Sequence, residues 1–232
     1  MCGRSRCALD PERLKQVART NVWPDQELYQ PCHNVTPGRD TPVAFCTPDG
    51  KIELGMMTWG LIPSFTSSDA KVDHWKMFNA RSESVAEKAA FRRLIPSRRC
   101  IVYLNGFYEW KKDAGSGRKQ PYYIYLENDE PMAMAGLYDV WRSEDGRKLK
   151  TYTILTTNSG KKLGWLHDRM PVILKTDSQR QLWMDTTNSH SIEYVLGLVM
   201  RPSICCFSNL RSNAFISLLF FKQKIWKSTV DP

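Results

Sequence analysis

Through the middle of this chain apolar and polar residues alternate in short runs, not in long helical stripes. PVAFCT (42–47), KIELGMMTW (51–59), CIVYLNGFYEW (100–110), PYYIYLE (121–127), MAMAGLYDVW (132–141), TYTILTT (151–157) and PVILK (171–175) are rich in β-branched and aromatic residues. Gly, Asp or Asn turns separate them, as expected of strands. Helical spacing is confined to a few places. LDPERLKQVART offers Asp10 as N-cap, Pro11 at the first helical position and an apolar face of Leu14, Val17 and Ala18, which predicts a helix over about 10–20. SVAEKAAFRRLI (84–95), SQRQLWMD (178–185) and SIEYVLGLVM (191–200) also read as helical, whereas the Pro-rich stretch from Trp23 to Pro42 reads as loop. The predicted fold is α+β: a single domain with a curved, barrel-like, mostly antiparallel sheet and flanking helices.

Residues 1–200 hold this grammar. From Arg201 onward it stops, and PSICCFSNLRSNAFISLLFFKQKIWKSTVDP (202–232) combines an apolar FISLLFF with Lys-rich text. That segment, 201–232, reads as an atypical tail, the product of alternative or faulty splicing in a eukaryotic source.

Composition narrows the partners. Of 232 residues 42% are hydrophobic, a globular composition, and 33 Lys and Arg against 24 Asp and Glu give a net charge of +9. A surplus of that size favours a polyanion, nucleic acid first. The seven cysteines are odd in number and form no CxxC pair, which signals neither a disulfide framework nor a zinc site and fits a reducing compartment. No apolar run reaches the length of a membrane span.

The reactive candidates stand inside apolar text. Met1 precedes a small residue, so its removal is expected, which leaves Cys2 with a free α-amine beside its thiol. The reference pKa of an α-amine is about 7.7–8.0 and that of a thiol about 8.5. An amine and a thiol so placed can condense with an aldehyde and close to a thiazolidine, or act as an N-terminal nucleophile. At this position alone a frayed terminus is the plainer reading. FNARSE carries Asn79, Arg81 and Glu83, though Asn79 or Ser82 would also serve as a helix cap. NGFYEW ends an apolar strand with Glu109 between Tyr108 and Trp110; a carboxylate among aromatics tends toward a raised pKa and suits acid–base work. Alternation equally allows Glu109 on a wet sheet face. LHDRMPVIL sets His167, a proton carrier or a turn residue, beside Arg169. Arg4, Arg81 and Arg169 each accompany a reactive candidate and could fork onto phosphates, and Trp59 in MTWGLIPSF could stack on a base or fill the core.

Taken in order, MCGR, WGLIPSF, FNARSE, GFYEW, AGLYD and HDRMP resemble the SRAP family, the SOS-response-associated peptidase proteins, from Cys2 to about Met200. The resemblance implies one α+β domain that binds single-stranded DNA at abasic sites. It also implies that Cys2, freed of Met1, forms a thiazolidine crosslink with the ring-opened sugar. It matches Asn79 to the residue that positions nucleophile and sugar, Glu109 to ring opening and imine proton transfers, and His167 to protons on the sugar oxygen and in reversal. Arg4, Arg81 and Arg169 match phosphate contacts, Trp59 a place near the bases, and Asn34 in HNVTPG a pocket-lining position. No metal or organic cofactor and no membrane is implied, a monomer suffices, and the compartment would be the nucleus in a eukaryote and the cytoplasm otherwise. The departure lies after Met200, where the strand and Val-Asn segment that usually close the core are not found. The same residues would also serve a thiol peptidase with autocatalytic N-terminal processing, a non-covalent DNA-binding module would need no Cys2 at all, and the tail admits an inactive isoform.

Overall fold

Five strands close into a ring. The computed structural model describes residues 3–112, 115, 117–126, 129–186 and 194–197. The ring runs β10 (Lys148–Asn158), β4 (Ile52–Trp59), β3 (Asp40–Cys46), β6 (Arg99–Leu104) and β9 (Met132–Arg142), and the β9–β10 ladder seals it. All these pairings are antiparallel except β4 with β10, so the expected barrel-like sheet is present and mixed in one place. Every residue of β6 is buried. Ile101 and Tyr103 join one apolar cluster, and Cys100, Val102 and Leu104 join another. A strand covered on both faces reads as a continuous apolar run, which RCIVYL does.

Helices cover one side of these strands. In α1 (Pro11–Ala18) the Asp10 carboxylate accepts from the amides of Glu12 and Arg13, Leu14 and Ala18 are buried, and Arg19 ends the helix in a left-handed conformation. In α4 (Asp177–Met184) a Thr176–Gln179 capping box starts the helix. Arg99 Nε donates to the carbonyl of Trp183 (2.6 Å), and Trp183 Nε1 donates to that of Cys100 (2.8 Å), which fixes α4 to β6. The helix expected over 84–95 shrinks to α2 (Ala89–Arg92) among turns, and α3 (Gly160–Leu163) is an unexpected single turn. Of the helix expected over 191–200 only 194–197 is described, and it is helical.

On the other side lies a four-stranded antiparallel sheet in the order β2 (Cys32–Val35), β1 (Arg4–Cys7), β7 (Gly106–Lys112) and β8 (Lys119–Tyr125). Its inner face places Cys7, Val35 and Phe107 in the second cluster. The run CIVYLNGFYEW, expected as one strand, is therefore two. Asn105 makes the corner, its Oδ1 accepting from Ala8 N (2.7 Å) and its amide donating to the carbonyl of Arg6 (2.9 Å). A Cβ on Gly106 would stand 2.3 Å from the carbonyl oxygen of Ile124, so only glycine lets β8 come so close. Strands β1 and β2 fall in segments expected to be terminus and loop. They are short edge pieces whose alternation is too brief to read alone.

β10 also carries two short partners beyond the ring, β5 (Asn79–Arg81), parallel, and β11 (Arg169–Pro171), antiparallel. PVILK was expected as a strand over 171–175. Pairing with β10 ends at Pro171, and the chain then turns to β9, with Leu174 N donating to the carbonyl of Ala133 (2.8 Å). The tail from 201 lies outside the described residues.

Candidate functional site

The predicted reactive residues arrive from three directions at one end of the ring. Asn79 is on β5, opposite Ile154 of β10. Just before it, the Phe78 carbonyl accepts from Trp59 Nε1 (2.9 Å), and the Phe78 ring meets Trp59 and Trp75 edge-on. Gly3 approaches the same ring: a Cβ there would lie 3.4 Å from Phe78 and 3.6 Å from Trp75. Cys2 itself lies outside the described residues.

Glu109 comes from the inner face of β7. It is 5% exposed, which decides between the two sequence readings in favour of the inward one. Arg4 pairs with Tyr108 across β1 and β7, so the chain reaches Gly3 level with Glu109. On its other side Glu109 pairs with Tyr122 of β8. Trp165 packs edge-on against Tyr122 (5.1 Å between centroids), and Lys111 lies 4.9 Å from the centre of the Trp165 ring. These contacts bring the loop that carries His167 onto the strand pair that carries Glu109.

The His167 ring is oriented by its own turn. The amide of Arg169 lies 2.9 Å from Nδ1 and donates to it when that nitrogen is unprotonated. Asp168 Oδ1, 2.7 Å from Nδ1, is placed to receive a second proton's hydrogen bond. A histidine so arranged can present Nε2 as donor and return as acceptor.

Arg4 and Asn34 meet across β1 and β2, Arg4 Nη1 donating to Asn34 Oδ1 (3.1 Å). Arg81 is exposed on β5. Two expectations need correction. Trp59 is 0% exposed and belongs to the second core cluster, so it supports Phe78 from below and offers no ring face to a base. Arg169 was expected at a phosphate, but its side chain is 9% exposed and both terminal nitrogens bond to Glu83 (2.8 Å each). It also donates to Asn158 Oδ1 (2.9 Å) and to the carbonyl of Thr156 (2.7 Å), which makes it a clamp between β11, β10 and the turn after β5. The same bonds hold the Glu83 carboxyl below the usual range.

Trp75 escaped sequence reasoning. It is 53% exposed and beside Gly3, on a segment held by His74, whose Nδ1 donates to the Gly60 carbonyl (2.7 Å). Gly60 has a φ of +106°, and a Cβ there would stand 2.2 Å from the His74 carbonyl oxygen. The signal was the glycine of WGLIP, legible as a turn but silent about what packs on it. Asp139 of AGLYD is likewise structural: it is buried, pairs with Arg93 and accepts from the amide of Ser64 (2.6 Å), which ties the LIPSF turn to β9. Among the described residues no group of three His, Cys, Asp or Glu side chains could hold a metal ion, and no helix is long and apolar enough to cross a membrane.

A closed mixed ring with a four-stranded sheet at its side is a fold that solved structures share. A crystal structure of a protein from Bacteroides thetaiotaomicron superposes with a TM-score of 0.70 at 26% identity, covering 85% of this chain and 86% of that one. Residues 1–204 match the family described as SOS response associated peptidase (SRAP), and the chain belongs to that family. It is 36% identical over 223 residues to the abasic site processing protein HMCES of Xenopus tropicalis, spanning 80% of this chain and 66% of the frog protein. It is 39% identical over 202 residues to the abasic site processing protein YoaM of Bacillus subtilis, spanning 86% of each.

Proposed function

We propose that this protein binds single-stranded DNA at abasic sites and becomes covalently attached through Cys2. The observation that carries this is the convergence just described: β1 delivers Gly3 to the Phe78–Asn79 corner, level with the buried Glu109. The names of the frog and Bacillus relatives support the substrate, as does the net charge of +9.

The chemistry follows from the groups present. An abasic sugar is mostly a closed hemiacetal. Opening it needs a proton removed from the anomeric hydroxyl and one given to the ring oxygen, which exposes the aldehyde. The Cys2 amine then adds to that carbon, and loss of one water leaves an imine. The thiolate adds to the imine carbon and the nitrogen takes up a proton, closing the thiazolidine. Glu109, shielded from water, and His167, half exposed, are differently placed carriers for these protons. Asn79 holds the sugar against the amine, and Arg4 and Arg81 hold the backbone, a positioning contribution to rate.

The test is a denaturing gel of the Met1-processed protein with a single-stranded oligonucleotide carrying one abasic site. A heat-stable shifted band, absent for Cys2→Ala and weak for Glu109→Ala, is expected. No band from folded protein that starts at Cys2 would overturn the proposal. The family name, SOS response associated peptidase, favours a second reading, a thiol peptidase with Cys2 as nucleophile and His167 as base. Under that reading removal of Met1 is autocatalytic, so in the absence of any aminopeptidase the wild type would still lose Met1 and Cys2→Ala would retain it.

A further inference from the structure

The outer face of the four-stranded sheet repeats, one step away from Arg4, the arrangement that Arg4 makes with Asn34. Between Ser5 and Cys7 the β1–β2 register slips, so His33 and Asn34 of β2 both stand against the stretch around Arg6 and both are exposed. A bulge re-aims side chains in this way. Arg6 Nε donates to His33 Nδ1 (3.1 Å) just as Arg4 donates to Asn34. Tyr108 is the cross-strand partner of Arg4, and its hydroxyl reaches over to donate to the carbonyl of His33 (3.0 Å). Its ring therefore spans β1 between the two arginines. Behind it Tyr123 lies 4.9 Å away, tilted by 35°, and Tyr125 stacks on Tyr123 at 5.1 Å.

We infer that Arg6 and Tyr108 form a subsite for the nucleotide next to the one held by Arg4, with the phosphate on Arg6 and the base on Tyr108. This rests on the DNA-binding reading above. Two residues of an extended strand advance about 6.6–6.8 Å, a span that one nucleotide of an extended strand covers. The guanidinium is partly open, its side chain 28% exposed, and its carboxylate contact is Asp129 at a loose 3.9 Å. A fork with a ring beside it suits a phosphate and an unpaired base, and sequence-tolerant stacking suits a protein that reads a missing base.

The test uses an oligonucleotide with a reduced abasic site, which has no aldehyde, so that only non-covalent affinity is measured across a salt series. Arg6→Gln is expected to weaken binding about fourfold near 0.15 M salt and to flatten the salt slope by about 0.7, the share of one phosphate. Tyr108→Leu is expected to weaken it about tenfold, with Tyr108→Phe close to wild type. Trimming the oligonucleotide from one end must abolish both penalties while the wild type still binds. Wild-type affinity and slope in Arg6→Gln and Tyr108→Leu would overturn the subsite and leave the parent reading intact. So would penalties that survive every trimming, since Arg6 would then act only through Arg4's own position. Failure of the wild type to bind would sink the parent reading and this one with it.

Discussion

The closed ring and the four-stranded sheet are made of similar text, short aromatic and β-branched runs, yet they spend their faces differently. In β6 and β9 nearly every side chain is buried, because helices cover one face and the second cluster fills the other. In β1 and β7 only one face is buried. The other carries Arg4, Arg6 and Tyr108, and the inner face ends in Glu109 where the apolar packing ends. The proposed chemistry lies where a strand leaves the core, with one flank dry and the other wet. The ring carries β5 and β11 on β10, where their registers overlap at Thr156.

The comparison breaks most visibly in the ring. Leu104, 0% exposed at the end of β6, should cost about 2–5 kcal/mol of stability when replaced by alanine, read from denaturant unfolding. Glu109→Gln, one strand further along the same chain, should leave stability within about 1 kcal/mol. It should slow crosslink formation about a hundredfold, as removal of a proton carrier does. If the two substitutions behaved alike in both assays, the division between support and chemistry would be wrong. Arg81→Ala, on the surface of β5, should keep the melting curve within about 0.5 kcal/mol and lower the salt slope of DNA binding by about 0.7.

The smallest effect concerns pH. Glu83 has its folded pKa depressed below 4.5 by Arg169. A depressed acid stabilises the fold above its unfolded pKa and loses that contribution as pH falls through the folded value. Glu83→Gln should therefore flatten the acid side of the melting-temperature profile below about pH 4.5. With the Glu83 side chain 45% exposed, the change should be slight.

Much of the fold was legible because the ring strands are long and apolar enough to announce themselves, and α1 carries its cap in the text. What escaped were three- and four-residue strands, β1, β2 and β5, whose pairing is decided by distant partners. The bend at Asn105–Gly106 escaped for the same reason, being set by Ala8, Arg6 and Ile124. At the site, ordered motifs gave the residue identities, but burial sorted them. Trp59, left open between a base and the core, proved to be packing, and Arg169, matched to a phosphate contact, proved to hold an internal ion pair. Trp75, in plain polar text, proved to be the exposed ring beside Gly3.

The central claim is that Cys2 reacts through both its amine and its thiol, and intact mass of the adduct tests it most directly. Protein that starts at Cys2, incubated with an abasic single-stranded oligonucleotide and not treated with reductant, should give one species. Its mass should equal the sum of the two components less one water. Protein that retains Met1, and Cys2→Ala, should give none. A stable adduct from the Met1-retaining chain, again at the sum of its two components less one water, would contradict the account, because an amine locked in a peptide bond cannot form the imine.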